Sequence, residues 1–171
     1  MSEKQLQNFV NALAADTQGA LTVHEAAKLR GTIFAIEDFV GKQPQVEFPI
    51  THHFSKNIYA REMFIPKGSL LVGKIHKFQN MNIISQGHVS FFSVDGAVHV
   101  KAPHSFVASP GVKRVIYAHE DSVWTTIHGT DETDLKRIEA IFIAKSYDEV
   151  ETITEDELKI IKEEIERIKG E

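Results

Sequence analysis

The first forty residues place apolar side chains at helical spacing. One stripe is formed by Leu6, Phe9, Val10 and Leu13, and a second by Leu29, Ile33, Ile36 and Val40. Residues three or four positions apart lie on one face of an α-helix. Thr22 precedes Glu25 at the spacing of a capping box, and Gly41 follows the second stripe. The pattern predicts two helices whose apolar faces are covered by the following sheet or by a second subunit.

A similar stripe near the C-terminus predicts another helix. Thr154 and Glu157 have the spacing of a capping box, and apolar residues then follow at helical intervals. These residues are Leu158, Ile161, Ile165 and Ile168. We expect this face to pack on the domain or on a partner chain. Between the sheet and this helix, the polar run 130–135 predicts the start of a short helix, and the apolar run 140–144 predicts a last strand.

The middle of the chain consists of short apolar runs separated by turn residues, which is typical of an antiparallel sandwich or barrel. The predicted strands are residues 58–65, 70–78, 81–86, 88–94, 97–101, 105–108, 113–118 and 122–128. The pair Asp95-Gly96 is the strongest hairpin signal, because both central positions of a tight turn favour residues that tolerate positive φ. The sequence therefore predicts an all-β core.

Composition narrows the class of protein. The chain has 171 residues, 19 Lys and Arg against 24 Asp and Glu, nine His and no Cys. Such a length fits one domain, and the missing cysteines exclude disulfide scaffolds and thiol nucleophiles. The net charge of −5 argues against a sequence-independent nucleic-acid binder. Without a signal-like start or a long apolar stretch, we expect a cytosolic protein with no membrane partner.

Polar residues on the predicted strands mark a candidate site. Alternate residues of a strand share a face. If Leu70 and Val72 face the barrel interior, Lys74 and His76 face it too. Polar groups enclosed there need partners or a ligand. The remaining candidates on neighbouring strands are Arg61, Asn80, Asn82, Arg114 and Trp124. We interpret this set as a ligand-binding pocket.

The charges in this set suggest the ligand. Lys74 and Arg114 would place fixed positive charge in the pocket, which favours a small anion such as a carboxylate or phosphate. The alternative is a structural ion pair in which an interior carboxylate such as Glu62 neutralises them. His52 and His53 precede the first predicted strand, and we interpret them as polar loop residues.

The spacing of these residues resembles a known motif. The run is Gly68, five residues, Lys74, one residue, His76, three residues, Asn80, six residues and Gly87. It is similar to the first motif of the cupin superfamily, in which the positions of Lys74, His76 and Asn80 are the metal ligands His, His and Glu. Pro110-Gly111 followed by Arg114 resembles the second motif, with arginine in place of a His ligand.

The resemblance implies a cupin double-stranded β-helix, a jelly-roll barrel, with N-terminal helices and a C-terminal helix. The wider sequence looks like a group of small uncharacterised cupins from bacteria and bacteriophages, which would place the protein in the bacterial cytosol. We expect an N-terminal helical extension over 1–45, the barrel over 46–145 and the C-terminal helix over 146–171. Cupins commonly dimerise, so a homodimer is expected.

The resemblance also leaves three functions open. The first is a protein that binds a small anionic molecule inside the barrel. The second is a metal-dependent oxygenase or isomerase, in which His76 would hold a divalent metal, although only His76 keeps a ligand type of the motif. The residues that could help it are His52, His53, Glu62 and His128. The third is an assembly protein that acts through its helices.

Overall fold

The structure is a computed structural model that describes residues 21–169. The predicted helix with Leu6 and Leu13 lies outside these residues. Helix α1 (Val23–Gly41) begins at the predicted capping box, in which the Thr22 side chain and Glu25 bond each other's backbone N–H groups, and it ends at the predicted glycine. Its stripe is buried along Leu29, Ile33 and Ile36. The second helix prediction is confirmed.

Eleven strands follow α1 in the described chain. They are β1 (Ile50–Ser55), β2 (Ile58–Ile65), β3 (Leu70–Val72), β4 (Ile75–His76), β5 (Asn80–Gln86), β6 (His88–Ser93), β7 (Gly96–Lys101), β8 (His104–Ala108), β9 (Val115–Ala118), β10 (Ser122–His128) and β11 (Ile143–Ala144). The described chain also contains α2 (Leu135–Phe142), a 3-10 turn (Tyr147–Glu149) and α3 (Glu155–Lys169).

The strands form two facing antiparallel sheets. One sheet has the order β1-β2-β10-β5-β8 and the other has the order β3-β9-β6-β7, while β4 pairs with β11. After β2 the chain passes repeatedly between the two sheets, which is the winding of a double-stranded β-helix. Apolar side chains from both sheets form the core between them. They include Met63, Ile65, Ile84, Val89, Phe91, Ile116, Ala118 and Trp124. The predicted double-stranded β-helix, a jelly-roll barrel, is confirmed.

Helices cover the outer face of the four-stranded sheet. The α1 residues Leu29, Ile33 and Ile36 pack on Phe92 and Val115 of that sheet. Helix α3 packs against α1, and Ile161 is buried there with the neighbouring segments. The apolar stripes of α1 and α3 are therefore covered largely within the chain. The homodimer stays a prediction, but uncovered apolar helix faces no longer argue for it.

The predicted strand 70–78 is broken, and this changes which residues face inward. Leu70 and Val72 pack against α1, whereas Leu71 contacts the barrel core. The chain then leaves the sheet at Gly73-Lys74, where the Gly73 N–H donates to the Arg114 carbonyl at 2.8 Å. Simple alternation from Leu70 was therefore wrong, because the irregular step changes the phase before His76.

Two further predictions need correction. The apolar run 140–144 is not one strand, because α2 continues to Phe142 and only Ile143–Ala144 pairs with β4. His52 and His53 are not loop residues, since both lie in β1, which pairs with β2. The hairpin between β6 and β7 is present, but among its turn residues only Gly96 has positive φ.

Candidate functional site

A cavity of about 340 Å³ lies inside the barrel, between the sheets and under α2. Six of the seven predicted ligand-binding residues line it: Arg61, Lys74, His76, Asn82, Arg114 and Trp124. Asn80 does not line the cavity, although it contacts Asn82. The remaining wall is mostly apolar and includes Ile50, Tyr59, Leu71, Ile116, Leu135, Ile138 and Phe142. The cavity is thus an apolar chamber with a small number of polar groups.

Two arginines line this chamber, of which Arg61 lies in β2 and Arg114 directly precedes β9 of the other sheet. Arg114 is only 8% exposed, and its ring contacts place the guanidinium carbon 5.2 Å from the centroid of Phe106. The Arg114 Nε atom is buried without a hydrogen-bond partner, and the Arg114 Nη2 atom lies 3.9 Å from Asp95 Oδ2. Arg61 has no carboxylate within 4.0 Å in the described chain. Burial lowers the pKa of both arginines, but a guanidinium remains charged at neutral pH.

Beside the arginines, two histidines face each other. His76 Nδ1 lies 3.2 Å from His128 Nε2, and the rings stack at 5.1 Å between centroids. Burial lowers the pKa of His76 to about 3, with further lowering by His128 and the positive charge of Arg114. Burial lowers the pKa of His128 to about 4. Both imidazoles are therefore neutral at pH 7.

Asn82 is hydrogen-bonded to several neighbouring polar side chains at the cavity wall. Its Oδ1 accepts hydrogen bonds from the Trp124 indole N–H at 2.9 Å and the Thr126 hydroxyl at 3.1 Å. Its Nδ2 donates to Asn80 Oδ1 at 2.8 Å, and Asn80 in turn donates to the Phe78 carbonyl. Asn80 therefore supports Asn82 from behind the cavity wall.

Replacing Asn82 should destabilise the barrel. Asn82→Ala leaves the buried Trp124 indole N–H without its acceptor, and an unsatisfied buried donor costs about 2 kcal/mol. Urea unfolding followed by Trp124 fluorescence measures this difference in the free energy of unfolding. Gln86→Ala, at an exposed position on the same strand, is the control and should change it by less than about 0.5 kcal/mol. An Asn82→Ala protein as stable as the wild type would contradict the assigned hydrogen bonds.

Lys74 belongs to the rim of the cavity and not to its interior. Its ammonium group pairs with Glu139 of α2, and both side chains are more than half exposed. The predicted neutralising residue, Glu62, points to the other face of β2, where it lies 3.8 Å from His53. The fixed positive charge inside the chamber thus comes from Arg61 and Arg114, and Lys74 joins α2 to the barrel mouth.

The cavity residues do not fit a metal centre. In residues 21–169, no group of three His, Asp, Glu or Cys side chains is placed to hold a metal ion. Of the predicted set, His52, His76 and His128 line the cavity, but His52 bonds the Tyr59 hydroxyl at 2.8 Å, and Glu62 faces outward. His76 has one ring nitrogen engaged by His128, and its other neighbours include cationic arginines. Such an environment repels a cation.

Sequence reasoning missed the contribution of α2. Leu135, Ile138, Glu139 and Phe142 all line the cavity, and the Phe142 ring stacks on His128 at 4.3 Å. The helical spacing of Leu135, Ile138 and Phe142 was the available signal. Helix α2 therefore closes one wall of the chamber.

Comparison with known proteins gives similarity of fold only. No protein-family model matches the sequence, and no curated protein matches it. A cupin superfamily protein from Desulfitobacterium hafniense is similar at 10% identity and a TM-score of 0.43, over 53% of this chain and 84% of that chain. A double-stranded β-helix protein from Klebsiella pneumoniae is similar at 13% identity and a TM-score of 0.44, over 54% and 85%. Salicylate 1,2-dioxygenase from Pseudaminobacter salicylatoxidans is 8% identical with a TM-score of 0.47, over 68% and 35%.

None of the helices in the described residues is both long enough and apolar enough to cross a membrane.

At the low identities of the compared structures, they say nothing about an activity of this chain. Its own strand order defines the fold. The chain is a double-stranded β-helix, flanked by helices and enclosing a mainly apolar chamber that two arginines line.

Proposed function

We propose that the protein binds a small carboxylate with an apolar body inside the barrel. The observation that carries this proposal is the pair of guanidinium groups, Arg61 and Arg114, which line an otherwise apolar cavity. Arg114 is buried and its closest carboxylate oxygen is 3.9 Å away, while the half-buried Arg61 has no carboxylate within 4.0 Å in the described chain, so neither has the close partner that enclosed charges normally have. A carboxylate offers two oxygens that match the planar donor fork of arginine.

The size and wall of the cavity favour a small organic anion over a bare inorganic one. About 340 Å³ falls at the lower end of small-molecule pockets. Trp124, Tyr59 and Phe142 offer ring surface against which an apolar body can pack. The neutral pair His76 and His128 adds no charge at pH 7. Phosphate would satisfy the arginines but would leave most of the apolar wall unused.

A calorimetric titration with three probes tests this proposal. Benzoate should bind with one-to-one stoichiometry, whereas neutral benzyl alcohol, of similar size, should bind at least about ten-fold more weakly. Inorganic phosphate should also bind more weakly than benzoate. Equal binding of benzoate and benzyl alcohol would contradict a role for the charges. No binding of benzoate or of 4-methylpentanoate would contradict the proposed function.

Removing one guanidinium should weaken benzoate binding. Arg61→Gln keeps a polar side chain but deletes a charged hydrogen bond, which is worth about 1.5–3 kcal/mol, or about ten-fold to a hundred-fold in Kd. The control is Arg137→Gln, because Arg137 is an exposed arginine of α2 that pairs with Glu132 and does not line the cavity. An unchanged Kd in Arg61→Gln would remove Arg61 from the site.

Elemental analysis separates the anion-binding proposal from the metal-dependent alternative. If the protein binds an anion, protein purified without chelator should contain less than one metal ion per chain. A stoichiometric metal that is lost in His76→Ala would contradict the anion site and favour the enzyme.

A further inference from the structure

We propose that His128 is a positioning residue that fixes the tautomer of His76, so that His76 presents an Nε2–H donor to the bound anion. This inference rests on the proposed function for its ligand, but the tautomer itself belongs to the free protein. His76 Nδ1 lies 3.2 Å from His128 Nε2, and a hydrogen bond between these two atoms requires that one of them carries a proton and the other does not.

Two arrangements of the protons satisfy this contact. In the first, His76 donates from Nδ1 to His128, and the single proton of His128 must then lie on its Nδ1. In the second, His128 donates from Nε2 to His76, and its Nδ1 carries no proton. The surroundings of His128 Nδ1 therefore decide the tautomer of both rings.

His128 Nδ1 is enclosed and has no partner. The residue is 5% exposed, and Nδ1 is buried without a hydrogen-bond partner in the described chain. The Phe142 ring covers one face of the imidazole at 4.3 Å between centroids. An unpaired buried N–H is rarer in proteins than an unpaired acceptor. The second arrangement is therefore favoured, with His128 donating and His76 protonated on Nε2.

The bound anion strengthens the same choice. His76 lines the cavity, and its Nδ1 is already used by His128, so Nε2 is the nitrogen available to a ligand. A lone pair at Nε2 would repel a carboxylate oxygen, whereas an N–H donates to it. The cavity then presents three sets of donors, from Arg61, Arg114 and His76.

This arrangement places a proton and does not relay one. A relay through the pair would need a further partner beyond His128, but His128 Nδ1 has none. The geometry points to recognition of an oxyanion by neutral and charged donors together.

Long-range ¹H–¹⁵N correlation spectra of protein with ¹⁵N-labelled histidine test this inference directly. At pH 7, without ligand, both His76 and His128 should be Nε2–H tautomers, and His76→Gln and His128→Gln spectra assign the signals. Finding His76 as the Nδ1–H tautomer overturns the inference. Because the tautomers are measured without ligand, this test is independent of the benzoate titration. If both histidines are Nε2–H tautomers and benzoate does not bind, the proposed function and its anion contact are wrong but the tautomer assignment stands.

Two variants of His128 test the positioning role. His128→Gln keeps an N–H donor for His76, whereas His128→Leu has a similar bulk and no donor. We expect benzoate Kd to change by less than about three-fold in His128→Gln and to rise about ten-fold in His128→Leu. In His128→Leu, the ¹⁵N spectrum of His76 should show a mixture of tautomers. Loss of binding with an unchanged His76 tautomer would mean that His128 acts only by packing, and would overturn the inference.

Discussion

The folded protein should be less stable at pH 5 than at pH 7 by up to about 4 kcal/mol, because the half-buried His76 and the buried His128 cannot easily take up protons. In the unfolded chain, His76 and His128 would titrate near 6.5, whereas in the fold their pKa values fall to about 3 and about 4. Below pH 6.5 the unfolded chain therefore binds more protons than the folded one, and stability falls as the pH falls. Each histidine contributes about 1.4 kcal/mol per pH unit.

Urea unfolding at several pH values between 5 and 7.5 measures this slope. Whatever the absolute stability of the double variant His76→Gln/His128→Gln, its slope over this window should be much smaller than that of the wild type. His53→Gln, which removes an exposed imidazole on the outer face of β1, serves as the matched control. A wild-type slope equal to that of the double variant would contradict the burial of the pair.

A methyl group at Gly87 should be the most damaging small substitution in the barrel. Gly87 joins β5 to β6 with φ +89°, a conformation that side chains disfavour. A Cβ there would also lie 2.5 Å from the Asp121 carbonyl oxygen and 2.7 Å from Ser122 Cα, so backbone must move. The conformational penalty and the overlap together predict a loss of at least about 3 kcal/mol for Gly87→Ala.

Gly68→Ala separates these two causes. Gly68 has φ +80°, but a Cβ there would meet nothing within 4 Å. We expect a loss of about 1–2 kcal/mol, from backbone conformation alone. Thermal and urea unfolding of both variants provide the comparison. Equal losses in the two variants would show that the close approach of Asp121 and Ser122 is unimportant.

The elements that could be predicted were those whose residues carry a local signal. Strands β2 and β10 match the predicted ranges, and both capping boxes are present, because alternation and cap spacing depend on neighbouring residues. The break at Gly73 could not be predicted in this way. It is held by a hydrogen bond to the Arg114 carbonyl, which is distant in sequence.

The site was predictable in its residue types but not in its pairings. The cupin-like spacing identified His76, and the replacement of motif positions by basic residues suggested an anion. The strand break left Lys74 at the rim, whereas Arg61 and Arg114 both line the cavity. The contact of His76 with His128 joins residues 52 positions apart, so no local pattern could reveal it.

The central claim is that Arg61 and Arg114 hold an anion inside the barrel. It is tested most directly by following the arginine Nε–Hε signals in ¹H–¹⁵N spectra while benzoate is added. The account predicts that the signals of Arg61 and Arg114 shift together with one Kd, while that of Arg137, outside the cavity, stays in place. Saturable binding of benzoate that leaves the Arg61 and Arg114 signals unmoved would contradict it.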